Sequence, residues 1–215
     1  MIAYWILLLI TAFFAYTIGS ISTQRLASQL VFRRNLRRLG RGNVWLSNFR
    51  RIYGIPGFLK LLAVEVVKDL LPILLGGLLL SLKGHADAGR AFAGFCLMMG
   101  RMYPVFNRFR GGHGSVALVV AALCVDLSVG IAAAVIIAAA SWFSRYLTLG
   151  AVAGALVVVI TAILVVEERL IMELAVMIAL LVIFKHIPSV VRIFNQKEER
   201  LSFKEDITYK LDDKF

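Results

Sequence analysis

The residues best suited to chemistry lie in four polar interruptions of an otherwise apolar chain. The first is Gly40-Arg41-Gly42-Asn43-Val44-Trp45-Leu46-Ser47-Asn48-Phe49-Arg50-Arg51. Glycines let the backbone turn and present N–H groups to an anion. Arginines supply forked donors that match phosphate. A basic loop facing lipid headgroups has the same composition, and both readings stay open. The second is Gly100-Arg101-Met102-Tyr103-Pro104-Val105-Phe106-Asn107-Arg108-Phe109-Arg110-Gly111-Gly112-His113-Gly114. Its glycine cluster feeds an apolar helix, whose free N–H groups and positive dipole end make an anion site. The glycines are expected to be small because the turn needs them so. The third is Glu65, Lys68 and Asp69 inside a membrane-length run, where ionisable groups pair internally or line a polar path. Glu65 lies three and four residues before Lys68 and Asp69, so it shares a helix face with them. The fourth is Lys185-His186-Ile187-Pro188-Ser189-Val190-Val191-Arg192, with a histidine at the mouth of the last span.

The elements that must position these groups are membrane helices. Hydrophobic residues make up 60% of the 215 and charged residues 17%, below the roughly 25% of a soluble domain, and mean hydropathy is +0.83. That excludes a disordered chain and points to several spans. Cys96 and Cys124 sit in apolar runs, so no disulfide framework or CxxC metal site is available. His85, His113 and His186 show no metal-ligand spacing, so neither metal nor cofactor is expected. The net charge of +11 belongs to loops facing anionic lipid or phosphorylated substrates, not to a nucleic-acid partner.

Apolar runs cover 2–18, 55–82, 88–106, 115–143, 147–166 and 170–184. The run 115–143 is long for one crossing of ~20 residues. Residues 20–54 carry eight arginines and no acid, which places that loop in the cytoplasm and the N-terminus outside. Turning the long run at Asp126, into halves of about 13 residues that cross only ~20 Å, returns Arg145 and the C-terminal tail to the cytoplasm. The expectation is therefore an all-α polytopic bundle of seven transmembrane helices, N-terminus outside. Residues 1–195 form one integral membrane domain and 196–215 a polar cytoplasmic tail.

The chain resembles the bacterial acyl-phosphate-dependent glycerol-3-phosphate acyltransferases, the PlsY family. That family's first loop reads SGN-[IV]-G-A-T-N followed by an arginine; here Arg41-Gly42-Asn43-Val44-Trp45-Leu46-Ser47-Asn48 is followed by Arg51. Its second reads GH-x-x-P-V-F-x-x-F-[KR]-G-G-K-G; here Gly100, Pro104, Val105, Phe106, Phe109, Arg110, Gly111, Gly112 and Gly114 fall in register. Its third, H-R-x-N-I-x-R-L with a following acid, is matched by His186, Arg192 and Glu198. Gly19-Ser20-Ile21 and Ser144-Arg145-Tyr146-Leu147-Thr148-Leu149-Gly150 are similar to two further family segments. Departures fall near the chemistry: Arg41 for serine, Trp45 for glycine, Arg101 for histidine, His113 for lysine and Ser189 for asparagine.

The resemblance implies transfer of a fatty acyl group from acyl phosphate to the 1-hydroxyl of glycerol 3-phosphate, giving lysophosphatidic acid for phospholipid synthesis. It implies a multi-pass protein of a bacterial plasma or inner membrane with its active site in the cytoplasm. Catalytic roles fall to His186, Ser47 and Ser189, with His186 best suited to take the hydroxyl proton. Substrate contacts fall to Asn43, Asn48, Arg51, Arg101, Arg110, Gly111, Gly112, His113, Gly114, Arg192 and Glu198. Arg51, Arg110 and the 111–114 glycines are expected to converge on one phosphate. The departures leave two other readings open. One is an acyltransferase with a different phosphorylated polyol as acceptor. The other is a weak or inactive relative that binds a phosphorylated lipid or metabolite without turnover.

Overall fold

The computed structural model describes residues 2–23 and 46–198, with side chains described from residue 54 in the second stretch. Asn43 and Arg41, and the tail beyond residue 198, lie outside the described residues. So do the side chains of Ser47, Asn48 and Arg51, whose backbone is helical. Among the described residues there are seven α-helices: α1 (Ile2–Ser20), α2 (Leu46–Ser81), α3 (Ala86–Met102), α4 (Ser115–Val125), α5 (Leu127–Ser144), α6 (Leu147–Val165) and α7 (Arg169–Phe194). A short 3-10 turn, Val105–Asn107, lies between α3 and α4. Helix is the required solution for spanning segments, because lipid offers no partner to a free backbone N–H or C=O. Helices α1, α5, α6 and α7 are long and apolar enough to cross a membrane.

The chain divides into two compact units. One comprises Ser22–Glu65 and Leu201–Phe215; its described part is chiefly the first half of α2, interrupted at Gly54 by a left-handed φ of 69°. The other comprises Met1–Ile21 and Val66–Arg200. Within this second unit α3 packs on α1, α4 and α7, and α6 packs on α5 and α7. Its centre is built on small residues, among them Ala93, Ala117, Ala121, Ala133, Ala155 and Ala179, which let helix backbones approach closely. Trp5, Phe13, Leu71, Phe143 and Leu164 are exposed on the outside, as a lipid-facing surface requires.

The long run does turn at Asp126. The Asp126 N–H closes α4 on the Ala122 carbonyl at 2.9 Å, and its carboxylate caps α5 by accepting from Ser128 N at 2.8 Å and Val129 N at 3.3 Å. The Ser128 hydroxyl and these two N–H groups hold that carboxyl below its usual range. The two helices are unequal, at 11 and 18 residues, rather than two matching halves. Helix α7 continues past Phe184 and through Pro188 to Phe194, 26 residues in all. At 1.5 Å per residue it is ~39 Å long, longer than a ~30 Å hydrocarbon core is thick.

Gly19 and Gly100 mark the crossing of α1 and α3. A Cβ on Gly100 would strike the Tyr16 carbonyl, and one on Gly19 the Leu97 carbonyl. Both lie in segments read above as motif glycines, and both serve packing.

Candidate functional site

The C-terminal end of α7 carries the candidate site. His186, Ser189 and Arg192 are spaced three apart, so they line one helix face. The His186 Nδ1 donates to the Val182 carbonyl one turn back, at 2.8 Å. With that nitrogen holding the proton, Nε2 keeps its lone pair and can accept one. The ring centroids of His186 and His113 are 4.7 Å apart. His113 Nε2 lies 3.5 Å from the Ser189 hydroxyl oxygen, which itself accepts from Arg192 Nη2 at 2.6 Å. Ser189 therefore has its own hydrogen to offer His113.

Arg192 is set from the other side by Glu198. Its Nε donates to Glu198 Oε2 at 2.7 Å, and Thr148 at the start of α6 donates to Glu198 Oε1 at 3.2 Å. The chain comes back to make this contact just after α7 ends. Gln196 adopts a left-handed φ of 55°, and the Lys197 and Glu198 N–H groups donate to the Arg192 carbonyl. One chain of side chains thus runs Thr148–Glu198–Arg192–Ser189–His113–His186. Burial, and then the charges of His186, Lys185 and Arg192, push the His113 imidazole down to about 4. It is neutral at pH 7.

His113 is delivered by the turn between α3 and α4. Arg108 and Phe109 both take left-handed backbone, with φ of 51° and 58°. They are held by Asn107 N and Phe109 N donating to the Pro104 carbonyl, and by the Asn107 side chain donating to the Arg110 carbonyl. The three glycines that follow have different reasons to be glycine. A Cβ on Gly111 would meet the carbonyls of Arg101 and Met102 and the Pro104 ring. Gly114 has φ 77° and lies against Met98. A Cβ on Gly112 would meet nothing. The expectation that the turn itself requires all three to be small is corrected at Gly112.

Three carbonyls at the end of α3, which no helical N–H can reach, find partners elsewhere. Arg101 O accepts from Gly112 N at 3.2 Å. Met102 O accepts from Lys185 Nζ at 3.1 Å, and Tyr103 O from the Tyr16 hydroxyl at 2.8 Å. Lys185 also lies over the Tyr103 ring, 4.6 Å from its centroid.

The structure thus brings together His113, His186, Ser189, Arg192 and Glu198. Arg110 is exposed on the turn. The expected convergence with Arg51, and the expected roles of Asn43, Ser47 and Asn48, fall outside the described side chains. Arg101, expected at the substrate, has its side chain 11% exposed, with one guanidinium nitrogen reaching both oxygens of Asp69, at 2.7 and 2.9 Å. Asp69, read as pairing along α2, does lie 3.5 Å from Lys68 of that helix and is claimed from α3 as well. Thr148 and Lys185 were quoted in motifs but given no role. Their signal was adjacency to matched residues, and their function depends on tertiary contact.

The sequence profile described as glycerol-3-phosphate acyltransferase matches residues 9–196. A glycerol-3-phosphate acyltransferase of Thermoanaerobacter pseudethanolicus is 27% identical over 198 residues, covering 92% of this chain and 98% of the relative. One of Trichlorobacter lovleyi is 32% identical over 188 residues, covering 86% and 93%. Crystal structures of PlsY, an integral membrane glycerol 3-phosphate acyltransferase, superpose in the glycerol 3-phosphate form with a TM-score of 0.77 at 23% identity, covering 91% of this chain and 96% of that one. The lysophosphatidic acid form gives 0.78 at 22% identity, covering 92% and 97%. A seven-helix membrane bundle, a glycine turn opening α4 and a histidine face on α7 thus coincide with a family match over almost the whole chain, and this protein belongs to the glycerol-3-phosphate acyltransferase family.

Proposed function

We propose that the protein acylates the 1-hydroxyl of glycerol 3-phosphate to give lysophosphatidic acid, with acyl phosphate as donor, at the cytoplasmic face of a bacterial membrane. The observation that carries the reading is the imidazole pair. His186 has its Nδ1 proton fixed on Val182, and it lies beside a neutral His113 at the edge of a glycine turn. The acceptor hydroxyl oxygen attacks the acyl carbonyl carbon. The bond from that carbon to the phosphate oxygen breaks, phosphate leaves with the electron pair, and the hydroxyl proton passes to His186 Nε2. Phosphate is a good leaving group, so the protein mainly orients two substrates and offsets their charge. Arg192, Lys185 and Arg110 supply positive charge. The open face of Gly112 lets a phosphate approach the backbone.

The arginine-rich 20–54 stretch supports a cytoplasmic site. Counting helices from that loop supports the same side for the 103–114 turn, the α5–α6 turn and the end of α7. Residues 1–195 act as one membrane domain, with the remaining tail in the cytoplasm.

A second reading, a different acceptor, draws on His113. A neutral ring offers a phosphate less charge than a lysine would. The test of both is a reconstituted assay offering acyl phosphate with glycerol 3-phosphate and other phosphorylated polyols. Fastest transfer to glycerol 3-phosphate supports the first reading. Faster transfer to another polyol selects the second. Binding without turnover on any acceptor refutes acyl transfer.

A further inference from the structure

We propose that the buried Asp69–Arg101 ion pair is a positioning device that fixes the end of α3 and, through it, the 111–114 turn that carries His113. The inference rests on the acyltransferase reading for its functional consequence, but not for its geometry.

Asp69 is 0% exposed and its partner nearly as buried. Charges so placed cost desolvation, and a pair between apolar helices adds little net stability over well-packed hydrophobic residues. Its value is better sought in what it holds still. Arg101 is the penultimate residue of α3. Its side chain is anchored on Asp69 of α2, while its own carbonyl accepts from Gly112 N. The same carbonyl, with that of Met102, bounds the space that Gly111 must leave empty. Anchor and turn are thus two ends of one residue.

The neighbouring contacts extend the device. Lys68 Nζ lies 3.5 Å from Asp69 Oδ1 and donates to the Ile21 carbonyl at 2.9 Å, just past the end of α1. Met102 O and Tyr103 O hold Lys185 of α7 and Tyr16 of α1. Lys68 therefore ties the end of α1, and Asp69 the end of α3, to α2, and the end of α3 in turn holds the turn and α7. A helix C-terminus also favours a nearby guanidinium through its dipole.

Asp69 and Arg101 are positioning residues, because neither needs to touch substrate. The test uses the full-length protein in lipid nanodiscs. Three variants are compared: Asp69→Asn, Arg101→Lys, and the double Asp69→Asn/Arg101→Gln, which removes both charges of the pair together. Hydrogen exchange of the 103–114 segment reads the turn directly. It should speed about tenfold in the double variant, with α5 and α6 unchanged. The KM for glycerol 3-phosphate should rise about 10- to 100-fold with a smaller change in kcat, and Arg101→Lys should recover most of it. Unchanged exchange at 103–114 in a folded double variant overturns the inference, whatever the enzyme acylates. Faster exchange with a parent that neither binds nor acylates glycerol 3-phosphate leaves the strut standing and overturns the functional reading. A lower melting temperature with unchanged exchange and KM reduces the pair to ordinary packing and also overturns it.

Discussion

The three glycines of the α3–α4 turn should respond to alanine in three different ways. At Gly111 the new Cβ falls on the carbonyls of Arg101 and Met102. Backbone cannot rotate away as a side chain can, so the turn must move. Overpacking of this kind costs ~1–3 kcal/mol, sometimes more, and displaces His113 with the turn. At Gly114 the left-handed φ of 77° costs an alanine roughly 1–2 kcal/mol. The contacting atoms there belong to Met98 and Met102 side chains, which are flexible and can yield. At Gly112 no neighbour lies within 4 Å and the backbone is ordinary, so the stability change should stay within about 0.5 kcal/mol. Yet if phosphate rests on that backbone, a methyl group displaces it by about an ångström, enough to cost about 100-fold in kcat/KM. Melting in detergent and acyl transfer in nanodiscs, measured on all three variants, separate the two effects. The expected stability order is Gly112→Ala near the parent, Gly114→Ala below it and Gly111→Ala lowest or unfolded. Full activity in a stable Gly112→Ala would refute the placement of phosphate on this turn.

Other expectations follow from the same contacts. Glu198→Gln removes the charged partner of Arg192; with Arg192 40% exposed, the loss should be only about 1 kcal/mol, yet kcat/KM should fall about tenfold as Ser189 and His113 lose their support. An unchanged kcat/KM would detach Glu198 from the site. His113 has a folded value of about 4 against an ordinary 6.5, so the unfolded chain binds the extra proton between them. Stability from this group is then complete above about pH 7 and falls as pH drops from 6.5 toward 4, by at most about 3 kcal/mol. Melting curves of the parent and His113→Gln from pH 7.5 to 4.5 should diverge over that window, and parallel curves would contradict it. Asp126→Ala removes the α5 cap and should lower stability by ~1 kcal/mol with acyl transfer intact; a loss of transfer would tie that distant turn to the site.

Much of the bundle is legible because apolar length is a direct physical requirement of spanning. The break at Asp126 is legible too, from the excess length of the 115–143 run and the arginines of the loops on either side. The extent of α7 is less so. Pro188 reads as a stop, but at the membrane edge the helix passes through it, and this places Ser189 and Arg192 on the His186 face. The fold-back of Glu198 onto Arg192 hinges on one left-handed residue, Gln196, with no glycine to mark it. Asp69 and Arg101 are far apart in sequence, and only the packing of α2 on α3 makes them partners. Gly19 and Gly100 look like loop glycines because both end helices, yet it is the crossing of those helices that demands them. Among the residues at motif positions, matched or substituted, His113, His186, Ser189, Arg192 and Glu198 meet as a set.

The most direct measurement is product formation by the purified full-length protein in nanodiscs, given acyl phosphate and isotope-labelled glycerol 3-phosphate and followed by mass spectrometry. Labelled 1-acyl lysophosphatidic acid should accumulate in step with released inorganic phosphate, and His186→Ala should reduce both rates together. Phosphate release without labelled product, or equal product from His186→Ala, would contradict the site described here.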